Sequence, residues 1–233
     1  MSKKTITFKK GFIQDWGEAI LWAFVVAMLI RNYTFQNFKI PSGSMEKTLL
    51  VGDYLVANKL KYLFYEPKRA DIVTFRNPDD PLIPPNALRI IAPIYWSYDT
   101  NKLIWHEKKN IVKRVIGMPG DTVQIINKKI YINDELFETG KEQYLETRVL
   151  PREYSAPGYA WQREMGGSRD NMGPFTVPEG KYFVMGDNRD HSLDSRYWGF
   201  LDRKDITGTP AMIFFSKGDG FEFRFNRMFS VIR

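Results

Sequence analysis

The sequence predicts a mainly β fold: an antiparallel β-sheet core with an inserted cap region, preceded by one N-terminal transmembrane helix. Three observations predict it. Ala19 to Ile30, AILWAFVVAMLI, is an unbroken run of twelve apolar residues. After residue 36 no long helical period occurs. In its place come short runs rich in β-branched and aromatic residues, each bounded by Gly, Pro, Asp or Asn.

Composition narrows the chemistry. The chain has 233 residues, 43% hydrophobic and 26% charged, enough to bury a real core. It has no cysteine, which excludes a disulfide scaffold, a zinc ribbon, an iron–sulfur protein and a thiol nucleophile. Its two histidines, His106 and His191, leave little room for a His-based triad or a multi-His metal site. The available catalytic groups are Ser, Lys, Asp, Glu, Arg and Tyr. The net charge of +7 suits an anionic membrane surface or a nucleic acid. The lysines are scattered rather than striped and no RNA or DNA motif occurs, so no nucleic-acid partner is expected.

The first element is the apolar run. Residues 1–15 form a basic tail carrying Lys3, Lys4, Lys9 and Lys10. Residues 16–35 read as a membrane anchor. Trp16 and Tyr33 flank the run, and the only charges between them, Glu18 and Arg31, lie within a turn of its ends. A spanning helix needs about 20 residues, so the strict run is short and the flanks must extend it. A buried core helix and a cleaved secretory signal are the rivals. The second lacks small residues for a cleavage site in IRNYTFQNF, 30–38. The charge balance around the run favours an N-terminus inside only weakly.

The strands follow. YLVANKL (54–60), DIVTF (71–75), NIVKRVIG (110–117), GKYFVMGD (180–187) and PAMIFFS (210–216) read as strands. TVQIINKKIYI (122–132) reads as a hairpin turning at Asn127-Lys128, followed by a turn at Asn133-Asp134. This divides the core into a first part, 36–136, and a second part, 180–233, around an inserted cap at 137–179 rich in Gly, Pro, Glu and Arg. A second irregular insertion covers 82–109, with an aromatic cluster at 90–105 that is either core or membrane-facing.

Three segments carry chemistry. In IPSGSMEKTLLVGDYLV (40–56), Gly43 precedes Ser44 and permits a sharp turn with close substrate approach. A serine hydroxyl beside a free backbone N–H offers a nucleophile and an oxyanion donor, although Ser-Gly-Ser is also a common loop tripeptide. In NIVKRVIGMPGD (110–121), alternation sets Lys113 on the face of Ile111 and Val115, with Arg114 on the other. A lysine on an apolar face loses basicity and can serve as a general base; a solvated edge-strand lysine is the bland alternative. In GDNRDHSLDSRYWGF (186–200), Asp187, Asp190, Asp194, Arg189 and Arg196 can pair with one another. An EF-hand reading fails there, because no Glu closes a twelve-residue loop. His191, alone, reads as structural.

Together, in this order, the apolar segment, IPSGSM, KRVIGMPGD and GDNRDHSLDSRYWG resemble the bacterial type I signal peptidases, the leader peptidases. The resemblance covers roughly 16–80, 110–135 and 180–216. It implies a signal-peptidase-like β fold and a serine endopeptidase that removes N-terminal signal peptides from exported preproteins. It implies Ser44 as nucleophile and Lys113 as general base of a Ser–Lys dyad, working through an acyl-enzyme. It further implies Ser42 as side-chain oxyanion donor, Ser192 as the serine orienting the lysine amine, and Asp194 with Arg196 as a buttressing pair. Phe38, Ile40, Met45, Leu49 and Val112 match positions around the shallow pockets for small residues at P1 and P3. No cofactor or metal is implied. The expected partners are preproteins, the lipid bilayer and a nearby secretion translocon. The expected location is the bacterial cytoplasmic (inner) membrane, single-pass, with the N-terminus in the cytoplasm and the catalytic domain on the outer or periplasmic side.

One departure stands out. Relatives usually carry proline two residues after the Met of SGSM, where this chain has Lys47 after Glu46. Self-cleaving repressors also use a Ser–Lys dyad, but they carry a DNA-binding domain where this chain has its hydrophobic segment. Endoplasmic-reticulum relatives replace the lysine by histidine. A membrane-anchored β scaffold without activity is the non-enzyme alternative.

Overall fold

The computed structural model describes residues 12–78, 88–91, 94–97, 101–105, 109–218 and 220–232. The basic tail to residue 11, His106 and half of the 82–109 insertion lie outside the described residues.

Helix α1 (Phe12–Thr34) runs directly into strand β1 (Phe35–Lys39). Its described apolar side chains, among them Trp16, Ile20, Leu21, Trp22 and Phe24, are exposed, so no protein core covers that described surface. Among the described residues no helix is long and apolar enough to cross a membrane. The anchor expected at 16–35 therefore rests on the sequence pattern.

The chain beyond α1 is mainly β and antiparallel throughout its named strand pairs. Strands β2 (Asp53–Asn58) and β3 (Ile72–Arg76) flank the short helix α2 (Lys61–Phe64). A small separate sheet holds β4 (Leu88–Ile91), β5 (Ile94–Ser97) and β6 (Lys102–Trp105) in that order. Strand β7 (Asn110–Gly117) returns to the main sheet. Next come β8 (Thr122–Ile126), β9 (Lys129–Ile132), β10 (Glu135–Phe137), helix α3 (Ala160–Glu164) and β11 (Met172–Thr176). Strands β8 to β11 form a second sheet in the order β10-β9-β8-β11. The chain closes with β12 (Lys181–Met185), helix α4 (Ser195–Trp198), β13 (Leu201–Asp202), β14 (Ile206–Ser216) and β15 (Ser230–Val231). The main sheet runs β1-β2-β14-β3-β7-β12-β13, with β15 added to β14.

Local chemistry explains the turns. The β8–β9 hairpin closes on Asn127 and Lys128, whose φ angles are 50° and 71°. Two left-handed residues make the turn whose twist suits a two-residue hairpin. Asparagine tolerates this region; lysine does not, and Lys128 is held there. Its N–H donates to Asp170 O at 2.9 Å and its Nζ to Asp190 Oδ1 at 2.7 Å. The stretch 137–179 is not uniformly irregular, because β11 within it pairs with β8.

Three apolar clusters fix the layers. One packs Val123, Ile125, Ile130, Ile132, Met172 and Phe175 of the second sheet against Ile116, Phe183 and Met185 of the main one. A second gathers Val73, Phe75, Val115, Val184 and Leu201 beneath Tyr62 and Trp198. The third joins Ile40, Met45, Leu49, Leu55, Ile72, Val112 and Ile213. The candidate site sits where β7, the end of β12 and the loop after β1 meet.

Candidate active site

Ser44 lies in a single 3-10 turn, Gly43–Met45, between β1 and β2. The loop is stitched to the sheet by Ile40 N–H to Asp53 O at 2.8 Å and Gly52 N–H to Ile40 O at 3.0 Å. Met45 and Leu49 are 1% and 0% exposed, so the turn is plugged into the third cluster by its apolar side. Ser44 is left half-buried on its other side. Ser42 precedes it in extended conformation, exposed, and its hydroxyl caps nothing in the turn.

Lys113 approaches from β7. Register places it opposite Val73, and Val73 and Val115 are fully buried. Lys113 itself is 3% exposed, and its Nζ donates to Ser44 Oγ at 2.7 Å. Burial disfavours the ammonium and pulls the amine down to about 8, from an ordinary 10.5; Asp194 and Asp187 draw it back upward, while Arg196 lowers it further. The result is an amine near neutrality in hydrogen-bond contact with a serine hydroxyl.

The polar loop 186–194 supplies the surroundings. Asp194 and Arg196 form a buried bidentate pair, Nε to Oδ1 at 2.9 Å and Nη2 to Oδ2 at 2.8 Å. Asp194 also accepts the Gly186 N–H at 3.0 Å and caps α4. Burial pushes the Asp194 carboxyl up, but the Arg196 charge and hydrogen bonds outweigh it and hold the group below the usual range. The other acids of the loop pair outside it. Arg114 donates to Asp187 through Nε and Nη2, both at 2.7 Å, and Thr48 Oγ1 donates to the same carboxylate at 2.5 Å. Asp190 takes Lys128 and the Leu145 and Glu146 N–H groups. Arg189 pairs with Glu142, and His191 meets Glu146 on the surface.

Ser192 differs from its expected part. It is buried at 3% exposure, but its Oγ has no hydrogen-bond partner, so the bond to the lysine amine is not made. The Lys113 amine is directed at Ser44 instead, and Ser192 Oγ lies against Gly186. A Cβ on Gly186 would fall 2.3 Å from Ser192 Oγ and 2.4 Å from the Ser44 carbonyl oxygen. Only glycine allows the loop, Ser192 and the Ser44 turn to approach this closely.

The five expected pocket residues do share one place. Ile40, Met45, Leu49 and Val112 belong to the third cluster, with Phe38 packed against it. Four of them are buried, so they form the interior backing of the Ser44 turn; Phe38 alone keeps appreciable surface. Lys47 has φ 79°, a conformation closed to a proline ring, and its Nζ donates to Glu142 O at 2.6 Å. The turn of this chain is thus built differently from one carrying proline there. Among the described residues no group of three or more His, Cys, Asp or Glu side chains is arranged to hold a metal ion.

Sequence reading passed over Arg114, Asp187 and Thr48 as a unit, and Gly186. Arg114 carried a signal, since a charged residue alternating with Lys113 between apolar neighbours had to be buried or edge-exposed. Its partner, 73 residues away, carried none.

Comparison with known proteins gives the family of the chain. The family described as "Signal peptidase, peptidase S26" matches residues 13–215. A signal peptidase I of Bacillus licheniformis is 36% identical over 218 residues, covering 92% of this chain and 95% of its own length. One from Bacillus amyloliquefaciens is 34% identical, covering 92% and 94%. A solved signal peptidase I from Enterococcus faecalis V583 is 25% identical, covers 62% of this chain and 97% of its own, and gives a TM-score of 0.38. The chain belongs to the signal peptidase I family of serine endopeptidases.

Proposed function

We propose that this chain cleaves signal peptides from exported preproteins with a Ser44–Lys113 dyad. The observation that carries the reading is the 2.7 Å contact between Lys113 Nζ and Ser44 Oγ, made by a lysine whose burial lowers it to about 8. In its neutral form the amine offers a lone pair along that contact. It takes the Ser44 proton as Oγ bonds to the scissile carbonyl carbon. The carbonyl π electrons move to oxygen, which rests on the Ser44 N–H and the Ser42 hydroxyl. Collapse expels the mature protein's amine, which receives the proton from Lys113. The acyl-enzyme is hydrolysed by water activated through the same lysine. Asp194 and Arg196 hold the loop against the dyad, and Ser192, unpartnered beside it, is free to meet the amine once Lys113 moves.

Phe38 and the turn backed by Ile40, Met45, Leu49 and Val112 favour small side chains at P1 and P3, since buried walls leave only shallow depressions. The exposed apolar surface of α1 favours a single-pass anchor with the catalytic part outside the cytoplasm. Ser44 lies eleven residues after Tyr33, at most about 40 Å of extended chain, so the nucleophile can work close to the membrane surface where cleavage sites emerge.

The test is cleavage of a purified preprotein with an Ala-X-Ala site in liposomes. Wild type should cut after the second Ala, with Ser44→Ala and Lys113→Ala at least about a thousandfold slower. Folded wild type that is inert across substrates and pH would leave the scaffold reading in its place.

A further inference from the structure

We propose that Asn188 is a positioning residue that aims the Ser44 backbone N–H, the oxyanion donor of the mechanism above; the inference rests on that mechanism. Asn188 is buried in the polar loop, 2% exposed. Its own N–H donates to the Ser44 carbonyl at 3.1 Å. Its side-chain Nδ2 donates to the Gly43 carbonyl at 3.3 Å and reaches Glu46 Oε2 at 3.4 Å. Its Oδ1 accepts the His191 N–H at 3.2 Å. That last bond assigns the amide, because a backbone N–H can only donate and so must face the oxygen. One residue thus holds both peptide groups that flank the Ser44 Cα.

Direction follows from covalent geometry. In a trans peptide the C=O and N–H of one unit point in opposite directions. The Gly43 C=O and the Ser44 N–H belong to one unit. Fixing the carbonyl on Asn188 turns the N–H away from the loop. The Glu46 N–H, at 3.0 Å from the same Gly43 oxygen, fills its second acceptor position and stiffens the arrangement. Holding the Ser44 carbonyl as well removes the rotation about Ser44 that would undo the aim. A misdirected donor costs transition-state stabilisation while leaving ground-state binding intact, because the oxyanion exists only after attack.

Asn188→Asp tests this at constant shape. The variant keeps the backbone N–H and an acceptor for His191, but sets a second oxygen against the Gly43 carbonyl and the Glu46 carboxylate. Asn188→Ser is the companion variant. It keeps the backbone N–H and a short oxygen near His191 but cannot reach Gly43, and it introduces no charge. Each is compared with wild type for preprotein cleavage and for two peptide inhibitors. A peptide aldehyde adds Ser44 Oγ to its carbonyl carbon, passes the proton to Lys113 and places an oxyanion in the hole. A reduced-bond peptide, CH2–NH at the scissile position, has no carbonyl to place there.

The expected result in at least one folded variant is a fall in kcat of at least about tenfold. The aldehyde inhibition constant should rise by a similar factor, with KM and the reduced-bond inhibition constant changed less than about twofold. Unchanged kcat in both variants would overturn the inference. So would equal weakening of both inhibitors, or loss of folding in both, since Asn188 would then be general scaffolding. Failure of the underlying mechanism is separately visible, as Ser44→Ala would then cleave like wild type.

Discussion

Lys113 and Arg114 are consecutive residues on β7, both cationic and both almost fully buried, at 3% and 4% exposure. They face opposite sides of the sheet and meet opposite treatment. Arg114 has a carboxylate in bidentate contact at 2.7 Å, a carbonyl at 2.8 Å and a hydroxyl at 3.3 Å. Lys113 has one hydrogen-bonded serine hydroxyl, Val73 opposite it on the sheet, and the charges of Asp194, Asp187 and Arg196 acting from further off. A buried charge supplied with its partners ties structure together; one less well supplied gives up its proton more readily, here at about 8. The Arg114–Asp187–Thr48 bridge joins β7, the polar loop and the turn that carries Ser44, the segments that deliver Lys113, Ser192 and Ser44. The Lys113–Ser44 contact on one face of the strand is held in place by the satisfied pair on the other.

Stability measurements on the two neighbours should differ in sign. Arg114→Met leaves Asp187 buried without its counter-ion and should cost about 3–5 kcal/mol in denaturant unfolding at pH 7. A loss under 1 kcal/mol would show that the pair is not the tie described. Lys113→Met removes an ammonium that folding disfavours. Its folded value is about 8 against 10.5 unfolded, so below pH 8 the folded state carries the whole penalty. Between pH 8 and 10.5 the unfolded chain binds more protons, and wild-type stability rises with pH. The variant should therefore be more stable than wild type by roughly 3 kcal/mol at pH 7, with the gain fading through that window. A destabilised Lys113→Met at neutral pH would contradict the contrast.

Smaller effects sharpen the same comparison. Gly186→Ala forces a methyl into contact with Ser192 Oγ and the Ser44 carbonyl, and should lower stability by about 1–3 kcal/mol while separating Ser44 from Lys113. Thermal unfolding and preprotein cleavage measured together check this, and normal values of both would show that the loop has room to give. Lys47→Pro should cost about 1–2 kcal/mol, because the ring cannot adopt φ 79° and the bond to Glu142 O is lost. Unfolding of that variant at the wild-type midpoint would mean that the turn takes the proline conformation readily.

What was legible in the sequence had a local cause. The strands at 54–60, 71–75 and 110–117 carried β-branched runs between breakers, and the Asn127-Lys128 turn lay between two such runs. Ser44 and Lys113 were visible because short motifs surround them. The partners of the loop were not visible: Asp187 finds Arg114 and Thr48, and Arg189 finds Glu142, only once the sheet has closed. Strand β11 was hidden because Gly173 and Pro174 interrupt it and its register with β8 shifts there. Asn188 read as one more loop polar residue, since its work is done on a turn 144 positions earlier in the chain.

The central claim is that Lys113 is the base of the dyad because burial leaves it near neutrality. The most direct measurement is the pH dependence of kcat/KM for preprotein cleavage by wild type from pH 5 to 10. The account predicts activity rising with pH as the amine loses its proton, with a midpoint near 8. A profile flat from pH 5 to 9 would contradict it.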